Sequence, residues 1–411
     1  MERIIVGIDV GTTKICTLVG QVDDHNDLRV IGVGVTPARG IRKGVITDLE
    51  EATQAIGESV QKAERVAGVT ISSAYVAVGG GHVSSMNSRG FVAIGKGDRP
   101  VDRDDVERAM DAAQAVTMPH NRRIIHSIPR EYIIDGQDGI RNPLGLMGYR
   151  LEVEAHIVTG AVTSLQNLVQ CVERNGIQVA DLVLQPLASA EAVLTEEEKS
   201  MGVVLVDMGG GTTDTAIFVE GSVWDTLVFS VGGNHITTDI AVGLRTPFVT
   251  AEDIKIRYAH ANPSAVDEAE VIEIATFGDE GLHSISRREL CRVVAMRTEE
   301  MFDLISREIR RSGFESLLPA GMVLTGGTAD LRGIRDLAAR KLQAPVRIGS
   351  PRRVKGLMEA ISSPAYSTAV GLLLWGMKEQ QAAEEAGPRA AMGGTWFQKL
   401  VEWLKIFLPR G

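Results

Sequence analysis

The chain has 411 residues and a formal net charge of −10, with 44% hydrophobic and 23% charged residues. This composition is typical of a folded protein, and the length exceeds what one hydrophobic core usually serves, so we expect two or more domains. The acidic balance disfavours nucleic-acid binding, which needs a basic surface. The three cysteines, Cys16, Cys171 and Cys291, lie far apart without zinc-ligand spacing and predict reduced thiols.

The apolar segments predict neither a secretory signal nor a membrane span. The first segment carries Asp9 inside its apolar run and continues directly into a Gly-Thr turn. No apolar run approaches the ~18 residues that cross a bilayer. We therefore expect a protein that stays inside the cell and meets a membrane only at its surface.

The order of the predicted elements occurs twice along the chain. The first set has strands at 2–9, 14–22 and 28–35, then a helix from Asp48 to Ala67 and a strand at 73–79; the second has strands at 203–207, 214–219 and 223–231, then a helix near Asn234. Each first strand ends in an aspartate, Asp9 or Asp207, 198 positions apart and followed by a glycine-threonine turn. These two units predict an internal duplication, with two similar domains facing a cleft.

Three segments lie outside the repeat. Residues 81–162 combine strands with a helix at 102–116 and predict a small inserted α+β subdomain, and residues 378–394 predict a linker rich in Ala, Glu, Gln and Gly. A helix over 395–411 has an apolar, aromatic face formed by Trp396, Phe397, Leu400, Val401, Trp403, Leu404, Phe407 and Leu408. Such a face packs on the protein's own core or lies in a membrane surface. Its position after the linker and its tryptophans and lysines favour the membrane.

The two glycine-threonine turns predict a phosphate site. Glycine lets backbone N–H groups approach a polyphosphate closely, and threonine hydroxyls add donors. The candidate residues are Gly11, Thr12, Thr13 and Lys14 in the first turn, and Gly209, Gly210, Gly211, Thr212 and Thr213 in the second. One such turn is more often a plain hairpin, but two turns that each follow a strand-ending aspartate favour a bound ligand. Asp9 and Asp207 are placed to hold Mg²⁺ through water molecules, since this ion dehydrates reluctantly.

Three further features point to a nucleotide but have simpler explanations. The turn Gly326, Gly327 and Thr328 admits a base or ribose against its backbone, or is only a strand-to-helix connection. Glu252 and Lys255, three apart on one helix, suit ribose hydroxyls or form a solvated ion pair. Gln185, at the end of an apolar strand, is placed to orient a water molecule for attack on a γ-phosphate, or is a capping residue.

Five segments resemble, in order, the phosphate-1, connect-1, phosphate-2, adenosine and connect-2 motifs of the actin, Hsp70 and sugar-kinase superfamily: GIDVGTTK, QPLASAEAVL, VVLVDMGGGTTD, VLTGGTADLRGI and YSTAVGLLLWG. Two others, IPREYIIDGQDGIRNPLGLMGYRLEVEAHIVTG and VGGNHITTDIAVGLRTPFVTAEDIKIRYA, are similar to the 1C and 2B subdomains of the bacterial FtsA cell-division family. This resemblance runs from Arg3 to about Met377, and the tail is similar to the membrane-targeting helix of that family.

The resemblance implies an α/β, actin-like fold in which two duplicated RNase H-like domains surround a nucleotide cleft. It adds an inserted α+β subdomain and a C-terminal amphipathic helix. The implied division is subdomain 1A at 1–80, 163–200 and 360–377; 1C at 81–162; 2A at 201–235 and 315–359; 2B at 236–314; a linker at 378–394; and a membrane-targeting helix at 395–411.

The resemblance also implies function. The cofactors would be ATP and Mg²⁺, with at most slow ATPase activity in which Asp9 and Asp207 hold the metal and Gln185 positions water. The protein would form filaments with itself at the cytoplasmic side of the inner cell membrane, at the division septum, as a peripheral protein on anionic lipid. There it would anchor the FtsZ ring by binding the FtsZ C-terminal peptide, with Arg297 and Glu300 as contacts, and recruit later divisome proteins such as FtsN through subdomain 1C.

Two other functions stay open at this point. A small-molecule kinase of the same superfamily would need an acidic base in the cleft. A pilus-assembly ATPase-like scaffold would share the fold. The tail helix disfavours both, and the inserted subdomain also disfavours the kinase. Thr328 stands where many relatives have a smaller residue, which bears on how a nucleotide fits.

Overall fold

The computed structural model describes residues 3–95, 99–116, 118–277, 282–352 and 354–386. The predicted membrane helix at 395–411 lies outside these ranges, with all eight residues of its apolar face. Within the described part, no helix is long and apolar enough to cross a bilayer.

The strands follow the apolar runs of the sequence. They are β1 Arg3–Val10, β2 Lys14–Val22, β3 Leu28–Pro37, β4 Ile41–Arg42, β5 Val45–Ile46, β6 Ser73–Val78, β7 Val83–Ala93, β8 Arg122–Ile134, β9 Gln137–Ile140, β10 Arg150–Ala161, β11 Gln178–Leu184, β12 Val203–Met208, β13 Thr213–Val219, β14 Ser222–Phe229, β15 Val271–Ala275, β16 Leu282–Ser286, β17 Met322–Thr325, β18 Val346–Ile348 and β19 Lys355–Gly356.

The helices begin and end at recognisable signals. For example, the side chain of Asp48 accepts a hydrogen bond from the N–H of Glu51 at the start of the first helix, and Gly68 ends it with a φ of 70°. The helices are α1 Leu49–Ala67, α2 Arg103–Gln114, α3 Val162–Glu173, α4 Gln185–Val193, α5 Glu196–Met201, α6 Gly233–Gly243, α7 Phe248–Tyr258, α8 Arg287–Ser312, α9 Ile334–Leu342, α10 Met358–Ile361 and α11 Ser367–Ala386.

Two sheets share one topology, which confirms the predicted duplication. The first sheet has the order β11-β6-β1-β2-β3-β19, and the second has the order β14-β13-β12-β17-β18. In each, the first three strands in sequence form an antiparallel meander, and the next two join parallel beyond the first strand. The strand-ending Asp9 and Asp207 therefore lie at equivalent edges of two similar sheets.

The predicted division of the chain remains a prediction, and two structural features bear on its boundaries. The short strand β19 pairs with β3 of the first sheet, although residues 315–359 are predicted to belong to the second domain. Helix α11 continues to Ala386, through the first nine residues of the predicted linker at 378–394. These nine residues are helical in the structure, as suits Ala, Glu, Gln and Lys, which are strong helix formers.

Crossed helices α4 and α11 connect the two sheets. Successive side chains of β12 point to opposite faces of its sheet and so join different hydrophobic clusters. Val203 and Leu205 belong to the cluster that contains α4 and α11, and Val204 and Val206 belong to the cluster of the second domain. At the crossing, a Cβ on Gly371 would lie 1.8 Å from the carbonyl oxygen of Ala188. The two helices therefore approach closely only because glycine stands at this position.

The two domains built on the first and second sheets are the two lobes of the protein. The inserted sheet, in the order β7-β10-β8-β9, contacts both lobes. The chain enters and leaves it from elements of the first sheet, yet Ser85 donates a hydrogen bond to the carbonyl oxygen of Thr226 on β14 at 2.7 Å. His156 Nε2 lies 2.9 Å from the hydroxyl of Thr226, and burial lowers the pKa of this histidine to about 4. The Arg130 guanidinium stacks on the ring of Trp224 at 4.3 Å. The inserted sheet is thus attached to the edge strand of the second sheet.

Replacing Gly371 with alanine should destabilise the protein, because the new methyl group would overlap the α4 backbone. We expect Gly371→Ala to lower the free energy of unfolding by about 2–3 kcal/mol. Thermal or urea unfolding of the full chain measures this change. Gly243→Ala is the matched control, because the nearest atom to its Cβ is 4.0 Å away; it should leave stability unchanged or slightly raised. Equal melting temperatures for the two variants would contradict the close crossing.

Candidate functional site

The two glycine turns have the same geometry. In the first, the N–H of Gly11 donates to the carbonyl oxygen of Lys14 at 3.1 Å; in the second, the N–H of Gly209 donates to that of Thr212 at 2.9 Å. Both pairs obey the 198-residue spacing of the repeat. The duplication therefore extends from the topology of the sheets to single backbone hydrogen bonds.

The turns face each other in direct contact. A Cβ on Gly210 would lie 1.9 Å from Thr13 Oγ1, and one on Gly211 would lie 2.5 Å from Thr12 Oγ1. No side chain larger than hydrogen fits at these two positions without moving the opposite turn. Glycine is required here by the close approach of the two lobes.

Two carbonyl groups of the second turn are held by hydrogen bonds within the protein. The N–H groups of Gly233 and Asn234, at the start of α6, donate to the carbonyl oxygens of Gly209 and Gly210 at 2.9 and 2.8 Å. The Thr328 hydroxyl donates to the Gly209 carbonyl at 2.9 Å. Among the described hydrogen bonds, none uses the N–H groups of residues 12, 13, 210 or 211. These donors remain for an anion.

A cavity of about 390 Å³ lies between the turns. It brings together nearly all residues that the sequence singled out for the nucleotide and metal: Asp9, Gly11, Thr12, Thr13, Lys14, Gln185, Asp207, Gly209, Gly210, Gly211, Thr212, Glu252, Lys255, Gly326, Gly327 and Thr328. Thr213 is the exception, since its buried hydroxyl donates to the Val231 carbonyl at 2.8 Å. Its neighbour Thr212 lines the cavity instead.

Three buried carboxyl groups face this cavity. Burial raises the pKa of Asp9 to about 7, an effect that Lys14 opposes and Asp207 reinforces. Burial also raises the pKa of Asp207, whereas hydrogen bonds from Ser189 and Thr368 lower it. Without a cation, the ionised forms of these groups are disfavoured. A bound cation would offset this cost.

Asp214 is the carboxyl group that the sequence predictions omitted. It lies directly opposite Asp207 in the β12–β13 hairpin, just as Cys16 lies opposite Asp9 in the β1–β2 hairpin. Burial and then Asp207 raise its pKa to about 7, and its side chain accepts a hydrogen bond from the Thr212 hydroxyl at 2.8 Å. The second aspartate of DMGGGTTD was a visible signal, but only the hairpin register places it in the cleft.

Gln185 and Lys14 contact the cleft from the first lobe. The Gln185 amide nitrogen lies 3.4 Å from Asp9 Oδ1, and its amide oxygen lies against Gly79, where a Cβ would be 2.0 Å away. The Lys14 ammonium lies 3.5 Å from the centre of the Tyr366 ring, and burial lowers the pKa of this lysine. Both polar groups are therefore held next to the first turn.

Glu252 and Lys255 form an ion pair of 2.7 Å that lines the cavity beside the start of α6. Lys255 also donates to the Thr237 hydroxyl at 2.9 Å and to the Gly233 carbonyl at 3.2 Å. The pair is only partly exposed and is fixed to the start of α6. It is thus part of the cavity wall.

Arg297 and Glu300 lie away from the cleft, on α8. Arg297 forms ion pairs of 2.5 Å with both Asp239 and Glu300. The side chains of Arg297 and Glu300 are 27% and 59% exposed, so the ion pair lies at the surface.

Comparison with known proteins identifies the family. Residues 204–371 match the model of the cell division protein FtsA, and residues 80–159 match the model of the SHS2 domain inserted in FtsA. The chain is 47% identical over 378 residues to the cell division protein FtsA of Pseudomonas aeruginosa, covering 92% of this chain and 90% of that protein. It is 38% identical over 413 residues to FtsA of Escherichia coli K12, covering 98% of each.

The chain belongs to the FtsA family of cell division proteins. The SHS2 match coincides with the inserted sheet, so the predicted insertion and family are confirmed.

Solved structures confirm the actin-like fold. The PilM-PilN type IV pilus biogenesis complex matches with a TM-score of 0.66 and 16% identity, covering 91% of this chain and 98% of that one. MreB5 of Spiroplasma citri bound to ADP matches with a TM-score of 0.56 and 16% identity, covering 93% and 98%. At this identity the pilus protein shares the fold alone, whereas the FtsA relatives share the family.

The donor set of the cleft fits a magnesium ion held through water. In the part of the chain that the structure describes, no group of three or more His, Cys, Asp or Glu side chains is arranged to hold a metal directly. Asp9 and Asp207 nevertheless line one cavity, and Mg²⁺ commonly keeps several waters and takes other ligands from phosphate. The residues therefore suit an ion that arrives with a polyphosphate.

Asp214 should make the stability of the FtsA-family chain depend on pH. Its pKa is 3.8 before folding and about 7 after it, so the folded protein binds the proton more tightly. Its contribution to stability is complete below the unfolded value and is lost as the pH rises through about 7. Without nucleotide or metal, the melting temperature should therefore fall from about pH 5 to about pH 7.5.

The Asp214→Asn variant keeps the shape of the side chain and removes the titration. Its melting temperature should fall less steeply over the same pH range. Glu50→Gln, on the surface of α1, controls for the change in net charge. An unchanged slope in Asp214→Asn would show that this carboxyl group does not take up a proton on folding.

Proposed function

We propose that this protein is an ATP-binding, actin-like cell-division protein that polymerises on the inner face of the cytoplasmic membrane and tethers the FtsZ ring there. The observation that carries the proposal is the pair of equivalent glycine turns. They contact each other and line one cavity, and their N–H groups are available to an anion. Membership of the FtsA family supports the cellular role.

The cavity suits a nucleoside triphosphate. Its volume of about 390 Å³ lies within the range of small-molecule sites, roughly 300–1,000 Å³. The two turns would hold the phosphates, with Lys14 adding a positive charge. The Gly326–Thr328 turn and the Glu252–Lys255 pair, which line the same cavity, would contact the nucleoside. Thr328 is tied to the Gly209 carbonyl, so it contributes to the shape of the cavity and does not block it.

Magnesium would be held by Asp9 and Asp207 through water. When bound, the ion neutralises charge on the phosphate oxygens. Burial of both carboxyl groups keeps bulk water away and strengthens their interaction with a cation.

Hydrolysis, if it occurs, depends on Gln185. A neutral amide orients a water molecule but does not remove its proton, so any turnover should be slow. Asp9, 3.4 Å from this amide, lies close enough to share the same water. A kinase would need a carboxylate that acts as a base on a second substrate, whereas membership of the FtsA family supports a role in cell division. We therefore favour a nucleotide-gated adaptor over a phosphotransferase.

The remaining parts would link the nucleotide to division. The amphipathic segment at 395–411 would lie in anionic membrane lipid, and several copies in one filament would raise the apparent affinity by ~10² to 10⁴ through avidity. Arg297 and Glu300 would receive the C-terminal peptide of FtsZ. The inserted subdomain would recruit later divisome proteins such as FtsN.

Gly210→Ala should weaken ATP binding, because its methyl group would overlap Thr13 and fill the space between the turns. We expect the dissociation constant, measured by calorimetry with Mg²⁺, to rise at least about tenfold. Adding Thr13→Ala removes the overlapping oxygen and should restore part of the affinity. Wild-type affinity in the single variant would contradict a phosphate site between the turns.

Deleting residues 395–411 should release the protein from anionic vesicles and leave ATP binding intact. Co-sedimentation of the full chain and the truncated chain with vesicles and ATP measures this. The full chain should also carry a fluorescent FtsZ C-terminal peptide into the pellet.

Two charge changes on α8 separate peptide binding from membrane binding. Arg297→Glu should keep the protein on the vesicles but lose the peptide. Arg292→Glu, at an exposed position on the same helix, should keep both. Sedimentation of the truncated chain with vesicles would contradict the role of the tail, and peptide capture by Arg297→Glu would contradict the FtsZ contact.

A further inference from the structure

Two hydroxyl groups converge on one oxygen of Asp207. Ser189 Oγ donates to Asp207 Oδ2 at 2.5 Å, and Thr368 Oγ1 donates to the same oxygen at 3.1 Å. The two hydroxyl oxygens are themselves 3.0 Å apart. All three side chains are buried. Such a closed set of partners restricts the carboxyl group to one orientation.

The hydroxyl groups come from the two crossed helices of the first lobe. Ser189 lies in α4, and Thr368 lies in the first turn of α11. The Gly371–Ala188 contact fixes how these helices cross. Asp207 lies next to the end of β12 in the second sheet, so the hydrogen bonds join the two lobes. The position of both donors is set by backbone packing, which makes them rigid supports.

Asp9, the equivalent carboxyl group of the first repeat, has a different environment. Its side-chain partner among the described hydrogen bonds is the Gln185 amide, at the longer distance of 3.4 Å. The repeat thus preserves the position of the two aspartates but gives only Asp207 a pair of hydroxyl donors. Burial alone does not require this difference, because both residues are 7% exposed.

The second oxygen of Asp207 is directed elsewhere. A Cβ on Gly326 would lie 2.4 Å from Oδ1, so this oxygen lies against the glycine of the third turn. Thr368 and Asp207 both line the cavity, whereas Ser189 does not and supports the carboxyl group from behind. With Oδ2 occupied by two donors, Oδ1 is the atom available to a water molecule.

We propose that Ser189 and Thr368 are positioning residues that fix Asp207 so that its Oδ1 accepts a hydrogen bond from water on the magnesium ion of a bound nucleotide. This inference rests on the proposed binding of ATP with Mg²⁺. It assigns to the two crossed helices a role in metal-dependent nucleotide affinity, beyond connecting the lobes. Partners that orient a metal-binding group typically change metal affinity by about 10- to 100-fold when removed.

The test compares ATP affinity with Mg²⁺ and with excess EDTA, measured by calorimetry on the full chain. Thr368→Val keeps the shape and removes the hydroxyl, Thr368→Ser keeps the hydroxyl, and Ser189→Ala removes the second donor. We expect Thr368→Val and Ser189→Ala to lose at least about tenfold in affinity with Mg²⁺ and less than about twofold in EDTA. Thr368→Ser should behave as the wild type.

The possible outcomes separate this inference from the proposed function. Equal losses with Mg²⁺ and EDTA, or no loss, would overturn the positioning role while leaving ATP binding intact. Wild-type affinity that does not depend on Mg²⁺ would do the same. A wild type that binds no ATP in either condition would overturn both. Melting temperatures identify any variant that fails to fold. If Ser189→Ala fails to fold, the comparison of Thr368→Val with Thr368→Ser tests the positioning role by itself.

Discussion

The contact between the two glycine turns is the constraint on which the rest of the cleft depends. Thr12 and Thr13 of the first lobe occupy the space that a side chain at Gly210 or Gly211 would need. The two lobes can therefore approach this closely only if these two positions are glycine. In this arrangement, backbone N–H groups of both turns face one cavity. A ligand that contacts both turns stabilises the closed arrangement by its difference in affinity for the closed and open forms.

The duplication explains the symmetry of the cleft, and the departures from it explain how the halves differ. The Asp207 carboxyl group is held by hydroxyl groups of two helices, whereas the side-chain partner of Asp9 in the described part of the chain is the Gln185 amide, at the longer distance of 3.4 Å. Opposite these aspartates stand Asp214 in one hairpin and Cys16 in the other. The second half thus supplies two of the three buried carboxyl groups, and the first half supplies the third with Lys14 and Gln185 beside it.

Local patterns predicted much of the fold and most of the site. Apolar strands and glycine turns are adjacent in the sequence, so the repeat and the cavity-lining residues could be read directly. Contacts between distant segments could not. The cleft position of Asp214 depends on hairpin register, and the hydroxyl groups of Ser189 and Thr368 reach Asp207 from 18 and 161 residues away. Thr213 is the first residue of β13, and its hydroxyl donates to the Val231 carbonyl, whereas Thr212, just before the strand, lines the cavity.

Hydrogen–deuterium exchange would test most directly whether both turns hold one nucleotide. Backbone amides of residues 10–14 and 208–213 should become protected together when ATP and Mg²⁺ are added to the full chain, with the same concentration midpoint, because a single ligand contacts both. Protection of only one turn, different midpoints for the two, or no protection in a protein that remains folded would contradict the account.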